Sequence, residues 1–192
     1  LLIGLVRHGK TDWNAEGKIQ GQTDIPLNEE GIKQAIALAD RLSGEARIWD
    51  AVVSSDLKRA YATAAIIAEK LNLPLLDADP RLRERYFGEV EGTKEQERHD
   101  RWGKEWRDVA KGVEPNAAVR ARALNALKQW QQEYPERNLL VVSHGSFLAQ
   151  MLAELCTELD DQHLHNLSYS ILELQGEKWH PQLYNCIVHL NP

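Results

Sequence analysis

Cysteine is nearly absent. Cys156 and Cys186 are the two thiols of a 192-residue chain, far apart and with no neighbour to complete a metal-type pair. A disulfide framework and a cysteine zinc site are therefore not expected, and no metal or other cofactor is assigned. Two ordinary reduced thiols fit a cytoplasmic location. Long apolar runs are missing as well: none reaches the ~18 residues that span a bilayer, and no signal-peptide pattern opens the chain. Positive charge is in deficit, with 23 Lys and Arg against 29 Asp and Glu and a net charge of −6. That balance argues against nucleic acid and membrane surfaces as partners, yet it permits a small, locally positive pocket. Neither an internal repeat nor a linker interrupts the chain, so one domain over residues 1–192 is expected.

What is present alternates strand with helix. Leu1–Val6 is a continuous apolar run of the kind found in buried parallel strands. Residues 7–27 read as loop with at most a short helix. Asn28 reads as an N-cap ahead of Glu29 and Glu30, and Ile32, Ala35, Ile36, Ala39 and Leu42 follow at helical spacing until Ser43-Gly44. "DAVVSS" is a second strand, with Asp56 expected to cap a helix to about Leu71. Leu73–Leu76 is expected to be a third, short strand. A charged, tryptophan-rich excursion over 93–112 precedes a helix from about Asn116 to Tyr134. "NLLVVS" is a fourth strand, followed by a helix from near Ser146, and the last segment alternates like two antiparallel strands joined at Gly176. The fold class is α/β: three layers, α/β/α, around a mainly parallel sheet with an antiparallel edge.

The opening "GLVRHGKT" matches the phosphate-binding pattern G-x-x-x-x-G-K-T. That motif needs a complete strand before its first glycine and a helix straight after its Lys-Thr. Here the apolar run continues through Gly4 to Val6, and "DWNAEGKIQGQ" offers no apolar helical face. A reactive histidine after a strand is the better reading.

Ligands of open parallel sheets bind at the carboxyl ends of the strands. Arg7, His8 and Gly9 follow the first strand, Arg59 opens the helix after the second, Glu84 follows the third, and His144 and Gly145 follow the fourth. The other histidines, His99, His163, His165, His180 and His189, read as surface or satisfied core residues. Two histidines, two arginines and a glutamate on one rim suit phosphoryl transfer. Neutral imidazole is a nucleophile near pH 7, guanidinium forks match phosphate oxygens, and a carboxyl can protonate a leaving alkoxide. Glu84 is the candidate for that last role.

At these residues the chain resembles the histidine phosphatase superfamily, the branch named for cofactor-dependent phosphoglycerate mutase. The resemblance covers nearly the whole chain. It rests on "RHGKTDWNAEGKIQGQTDIPLNEEGIKQA", "SSDLKRAYATA", "LRERYFGEVEG" and "VVSHG". It implies His8 as the phosphorylated nucleophile, Arg7, Arg59 and His144 as the phosphate pocket, and Glu84 as proton donor. It also brings Asn14, Gln20, Gly21 and the N–H of Ser146 to the pocket. The chain departs from the family pattern at Lys10, read as exposed, where glutamate is usual. It departs again at Asn28 in place of threonine, and at "GVEPNAA" where a Gly-Gly-Glu-Ser stretch is common.

Mutases of this type are longer and carry an Arg-Arg-Ser stretch after the acid motif; this chain does not. The resemblance therefore implies a metal-independent phosphatase of a small-molecule phosphate ester. A mutase is the first alternative and a non-catalytic phosphate-binding protein the second. Arg83, Arg85, Arg98, Arg101, Lys104, Arg107, Trp102 and Trp106 read either as a lid selecting a bulky or polyanionic ester or as a solvated amphipathic segment. The substrate and the oligomeric state, a homodimer included, stay open at this level.

Overall fold

The computed structural model describes residues 1–46, 49–159 and 163–191. Strands β1 (Leu2–Arg7), β2 (Ala51–Ser54), β3 (Leu139–Ser143), β4 (Tyr169–Gln175) and β5 (Lys178–Cys186) form one sheet in the order β2-β3-β1-β4-β5. β1, β2 and β3 are mutually parallel, and β4 and β5 run antiparallel at one edge. β1 is the central strand, so its carboxyl end is flanked by β3 on one side and β4 on the other.

Alternation along the strands builds two cores. Ile3, Leu5, Val53, Leu139 and Val141 face one layer, which contains α6 (Asn116–Glu133) and α7 (Gly145–Leu155). Val6, Val52, Leu140 and Val142 face the other, against α2 (Glu29–Gly44) and α3 (Lys58–Leu71). Burial on both faces is why these strands read as unbroken apolar runs. Asn28 caps α2 through Gly31 N–H at 2.9 Å. Gly4 lies inside β1 because a Cβ there would meet Leu140 at 2.6 Å and Trp49 at 2.8 Å. This is a packing role, unrelated to a phosphate loop.

Three expectations change. Leu73–Leu76 is not a sheet strand: it makes one parallel bridge, Leu75 to Val52. Pro74 has no N–H to extend a ladder, so only its carbonyl and the N–H of Leu76 engage Val52, at 2.9 and 2.8 Å. Asp56 does not cap α3. Its carboxylate is held by Arg83 at 2.8 and 2.5 Å, and the Lys58 N–H instead donates to Asp24 at 2.8 Å. Lys10 is half-buried and pairs with Glu30 at 3.0 Å.

The excursion folds into α4 (Glu95–Trp102) and α5 (Trp106–Val109), while α1 (Asp12–Ala15) is one turn in the loop after β1. Trp106 and Ala110 of the excursion pack with Phe87 and Val90, which precede it, in a small third core. It sits over the carboxyl end of the sheet.

Candidate active site

His8 is carried just past the end of β1 and is 2% exposed. Its N–H donates to Ser143 O at 3.0 Å, and its carbonyl accepts Asn166 Nδ2 at 3.1 Å. Gly9 follows because a Cβ there would meet Gly31 O at 2.6 Å, so the loop lies directly on the start of α2. The ring orientation is specified. Nδ1 is 2.6 Å from Gly9 O, and a carbonyl only accepts, so Nδ1 carries the proton. The lone pair therefore sits on Nε2, which accepts from Arg59 Nε at 3.3 Å.

Arg59, on the first turn of α3, is 1% exposed. Its remaining nitrogens donate to Thr23 O at 2.9 Å and Gly21 O at 2.6 Å. Those carbonyls are fixed by Glu91, whose carboxylate accepts Gln22 N–H and the Thr23 hydroxyl, both at 2.7 Å. Gly21 has φ of +55°, and a Cβ would lie 1.9 Å from Glu91 Oε1. Beside this loop, Thr11 donates its hydroxyl to Gln20 Oε1 at 2.6 Å, and its N–H to Asn14 Oδ1 at 3.2 Å. Asn14 and Gln20 thus reach the cavity in fixed positions.

His144 precedes α7 and is fully buried, its ring 5.1 Å from that of His8 and tilted by 58°. Its Nε2 lies 2.9 Å from Ser55 Oγ, while Nδ1 is buried with no hydrogen-bond partner. Arg7 is anchored by the Leu164 carbonyl and approaches His163 Nε2 at 3.4 Å; its Nε is likewise buried and unpartnered. Gly145 leaves room for that guanidinium, since a Cβ would sit 3.1 Å from Arg7 Nε.

Glu84 reaches the rim on a segment that tracks β2. Asp79 N–H donates to Ser54 O at 2.8 Å, and the Ser143 hydroxyl holds Leu82 O at 2.7 Å. Its carboxylate then lies on the N-terminus of α7. Oε1 accepts Phe147 N–H at 2.8 Å and Arg85 N–H at 2.7 Å, and Oε2 accepts Ser146 N–H at 3.0 Å. A helix N-terminus favours an anion, and here Glu84 supplies it. The Ser146 N–H is thus engaged by the carboxylate.

These groups line a cavity of about 560 Å³. Arg7, His8, Asn14, Gln20, Gly21, Arg59, Glu84, Gly145 and Ser146 all border it. His144 lies behind His8 and makes ring contact with it. Burial, reinforced by the charges of Arg59 and Arg7, holds the His8 imidazole well below its ordinary value. Burial does the same to His144, with Arg59, His8, Arg7 and Arg122 adding to it. Both rings are therefore neutral at pH 7. Burial also pushes Arg7 and Arg59 down to about 10, opposed in each by the charge of Glu84; both remain cations at neutral pH. The result is a neutral imidazole between two cations.

Sequence reasoning missed several lining residues. His163, read as a surface or satisfied core residue, borders the cavity beside Arg7. Gln150 also lines it, and Ser55 and Glu91 brace it from behind. Ser55 and Glu91 stand within the motifs quoted above, but nothing in the spacing distinguishes a brace from a filler. Among the described residues, no three His, Cys, Asp or Glu side chains are grouped to hold a metal ion.

Comparison with known proteins agrees with this geometry. Residues 3–187 match the model of the histidine phosphatase superfamily, branch 1. A Bacillus subtilis protein named as an uncharacterised phosphatase, PhoE, is 37% identical, the match covering 98% of this chain and 96% of that one. An Arabidopsis thaliana metal-independent phosphoserine phosphatase is 36% identical over 98% of this chain and 83% of its own. Relatives named as phosphoglycerate mutases or mutase-like proteins match at 34% identity. A solved mycobacterial glucosyl-3-phosphoglycerate phosphatase superposes with a TM-score of 0.86 at 30% identity, covering 96% of this chain and 98% of that one. The chain belongs to the histidine phosphatase superfamily, branch 1, as a phosphoric monoester hydrolase.

Proposed function

We propose that this hydrolase works through a phosphohistidine on His8, with Glu84 as proton donor, and that its substrates are small phosphorylated carboxylic acids. The observation that carries the mechanism is the fixed tautomer of His8: Nδ1 is committed to Gly9 O, so the lone pair is on Nε2 of this cavity-lining ring, where it accepts a long 3.3 Å hydrogen bond from Arg59 Nε. The substrate class rests on two similar proteins, named for phosphoserine and for glucosyl-3-phosphoglycerate. Both compounds pair a phosphate ester with a carboxylate.

In the first step, His8 Nε2 attacks phosphorus and the ester P–O bond breaks. The Glu84 carboxylate first takes the proton of the substrate's phosphate monoanion, then passes it to the leaving oxygen, which departs as alcohol. Arg7, Arg59 and a donor from His144 hold the equatorial oxygens as charge builds on them. In the second step, water attacks the phosphohistidine, Glu84 takes its proton, and the N–P bond breaks to release phosphate. Of the Glu84 oxygens, Oε2 accepts one backbone N–H and Oε1 two, so Oε2 is the one with room for the proton.

A mutase must keep its phosphorylated intermediate from water while the product reorients. A 560 Å³ cavity lined mainly by polar and charged side chains suits hydrolysis better. A purely phosphate-binding role would have no use for an oriented Nε2 with a carboxylate on the same cavity. Cytoplasmic location and a single domain over 1–192 belong to the same reading.

The test is phosphate release from a panel of phosphomonoesters in excess EDTA, for the wild type and His8→Ala. Release that persists in EDTA and disappears in the variant supports the proposal. Release that survives His8→Ala refutes it.

A further inference from the structure

The cavity holds more positive charge than a phosphoryl group needs. Arg7 and Arg59 already match a phosphate dianion. Lys18, Arg85, Arg98 and Arg107 also line it, and Glu84 is the one acid among the described residues that line it, in a chain whose net charge is −6. Two of the four extra cations are committed. Lys18 pairs with Glu16 at 2.5 Å. Arg85 is fixed on the wall by hydrogen bonds to Ser146 Oγ, Glu114 O and Asn116 Oδ1 at 2.7–2.9 Å.

Arg98 and Arg107 are different. Both guanidinium groups lie over the Trp106 ring, 5.1 and 4.2 Å from its centroid, so one buried indole fixes the pair. Arg98 is 8% exposed. One of its terminal nitrogens donates to Thr93 O at 2.6 Å, and its Nε is buried with no partner. Burial, with Arg107 adding to it, lowers the Arg98 guanidinium from its ordinary value, opposed by Glu95 and Glu97. Glu97 itself is occupied by the Lys94 N–H at 2.7 Å. A buried cation beside a second cation, with an unmet donor, is unfavourable until an anion arrives.

We infer that Arg98 and Arg107, stacked on Trp106, form a second anion subsite that reads the carboxylate of the substrate while Arg7 and Arg59 hold its phosphate. The inference rests on the hydrolase reading for its substrate and adds to it the residues that choose the substrate. Guanidinium suits a carboxylate because its planar donors match two coplanar oxygens. Phe87 and Ile19 line the wall alongside these groups and suit a short carbon skeleton between the two anions.

The test uses two substrates that differ by one carboxylate, O-phosphoserine and O-phosphoethanolamine. kcat/KM is measured for both in the wild type, Arg98→Gln, Arg107→Gln and Arg101→Gln. Arg101 belongs to the same segment but lies outside the cavity. The wild type should prefer phosphoserine by about tenfold or more, and each of the first two variants should cut that preference about tenfold. Arg101→Gln should leave the preference unchanged. Arg107 is exposed, so its variant carries the test if Arg98→Gln fails to fold. Calorimetric binding of the same two compounds to His8→Ala is the second readout. Phosphate release absent for both compounds, with phosphoserine still bound more tightly, would refute the hydrolase reading and leave the subsite standing. A preference near one in the wild type, or one that survives both arginine variants, would overturn the subsite.

Discussion

The Ser55 hydroxyl lies 2.9 Å from Nε2 of His144 and joins the end of β2 to the end of β3. Ser55 already accepts the Leu57 N–H at 3.2 Å, so its own hydrogen is free to turn onto Nε2. With that hydrogen on Nε2, the proton of neutral His144 is expected on Nδ1, the buried nitrogen that has no hydrogen-bond partner. In the proposed mechanism that nitrogen would be the donor to a phosphoryl oxygen once His8 is engaged. Ser55→Ala should lower kcat about ten- to a hundredfold with a smaller change in KM, and Ser55→Thr should restore most of it. The ¹⁵N shifts of His144 should report Nδ1 protonation in the wild type and a mixture of tautomers in Ser55→Ala. Unchanged shifts with lost activity would assign Ser55 a packing role only.

Glu84→Gln keeps the side-chain shape and removes the proton transfer proposed for this carboxyl. kcat should fall by about 10²–10⁴, the range expected for losing a general acid. The fall should be smallest for esters whose leaving group needs no proton, such as p-nitrophenyl phosphate. An equal fall for every leaving group would mean that Glu84 acts chiefly by bracing α7.

Burial lowers both His8 and His144, so each is neutral in the fold at pH values where the unfolded chain is protonated. A group whose folded value is depressed in this way costs nothing above its unfolded value of 6.5. It destabilises the fold increasingly as pH drops below that value towards the folded one. His163 and His189 shift in the same direction. Tm should therefore fall between pH 7.5 and 5.5, and the slope should be shallower in His8→Ala/His144→Ala. Parallel slopes would contradict the burial argument.

Two glycines of α2 separate packing from helix propensity. A Cβ at Gly31 would stand 2.1 Å from the Lys10 carbonyl, on the loop that carries His8. Gly31→Ala should cost about 1–3 kcal/mol in urea denaturation and lower activity as well. At Gly44 a Cβ meets nothing within 4 Å, so Gly44→Ala should be neutral or stabilise by up to about 1 kcal/mol.

Much of this architecture was legible because the strands are apolar on both faces and end in polar residues. Arg7, His8, His144 and Gly145 follow strands directly, so topology alone brings them to one rim. Glu84 reached the same rim by a different route from the one expected. Pro74 limits the segment after α3 to a single bridge with Val52, and Asp79 and Leu82 then guide the chain along β2 and β3. Asp56 looked like a cap because it precedes a helix, but Arg83, distant in sequence, claims its carboxylate. Ser55, Glu91 and His163 acquire their roles through partners far along the chain, and no local pattern encodes such partners. The arginines of the excursion show the same limit. Arg83, Arg85, Arg98 and Arg107 are equivalent as letters, yet a salt bridge, a hydrogen-bond network and a shared indole give them different work.

Rapid acid-free quenching of the enzyme during turnover of ³²P-labelled phosphoserine, followed by peptide mapping, decides whether His8 carries the phosphoryl group. A phosphohistidine mechanism predicts an acid-labile, base-stable phosphate on the peptide containing His8, formed and lost at rates compatible with turnover, and absent in His8→Ala. Turnover with label on no histidine, or on a histidine other than His8, would contradict it.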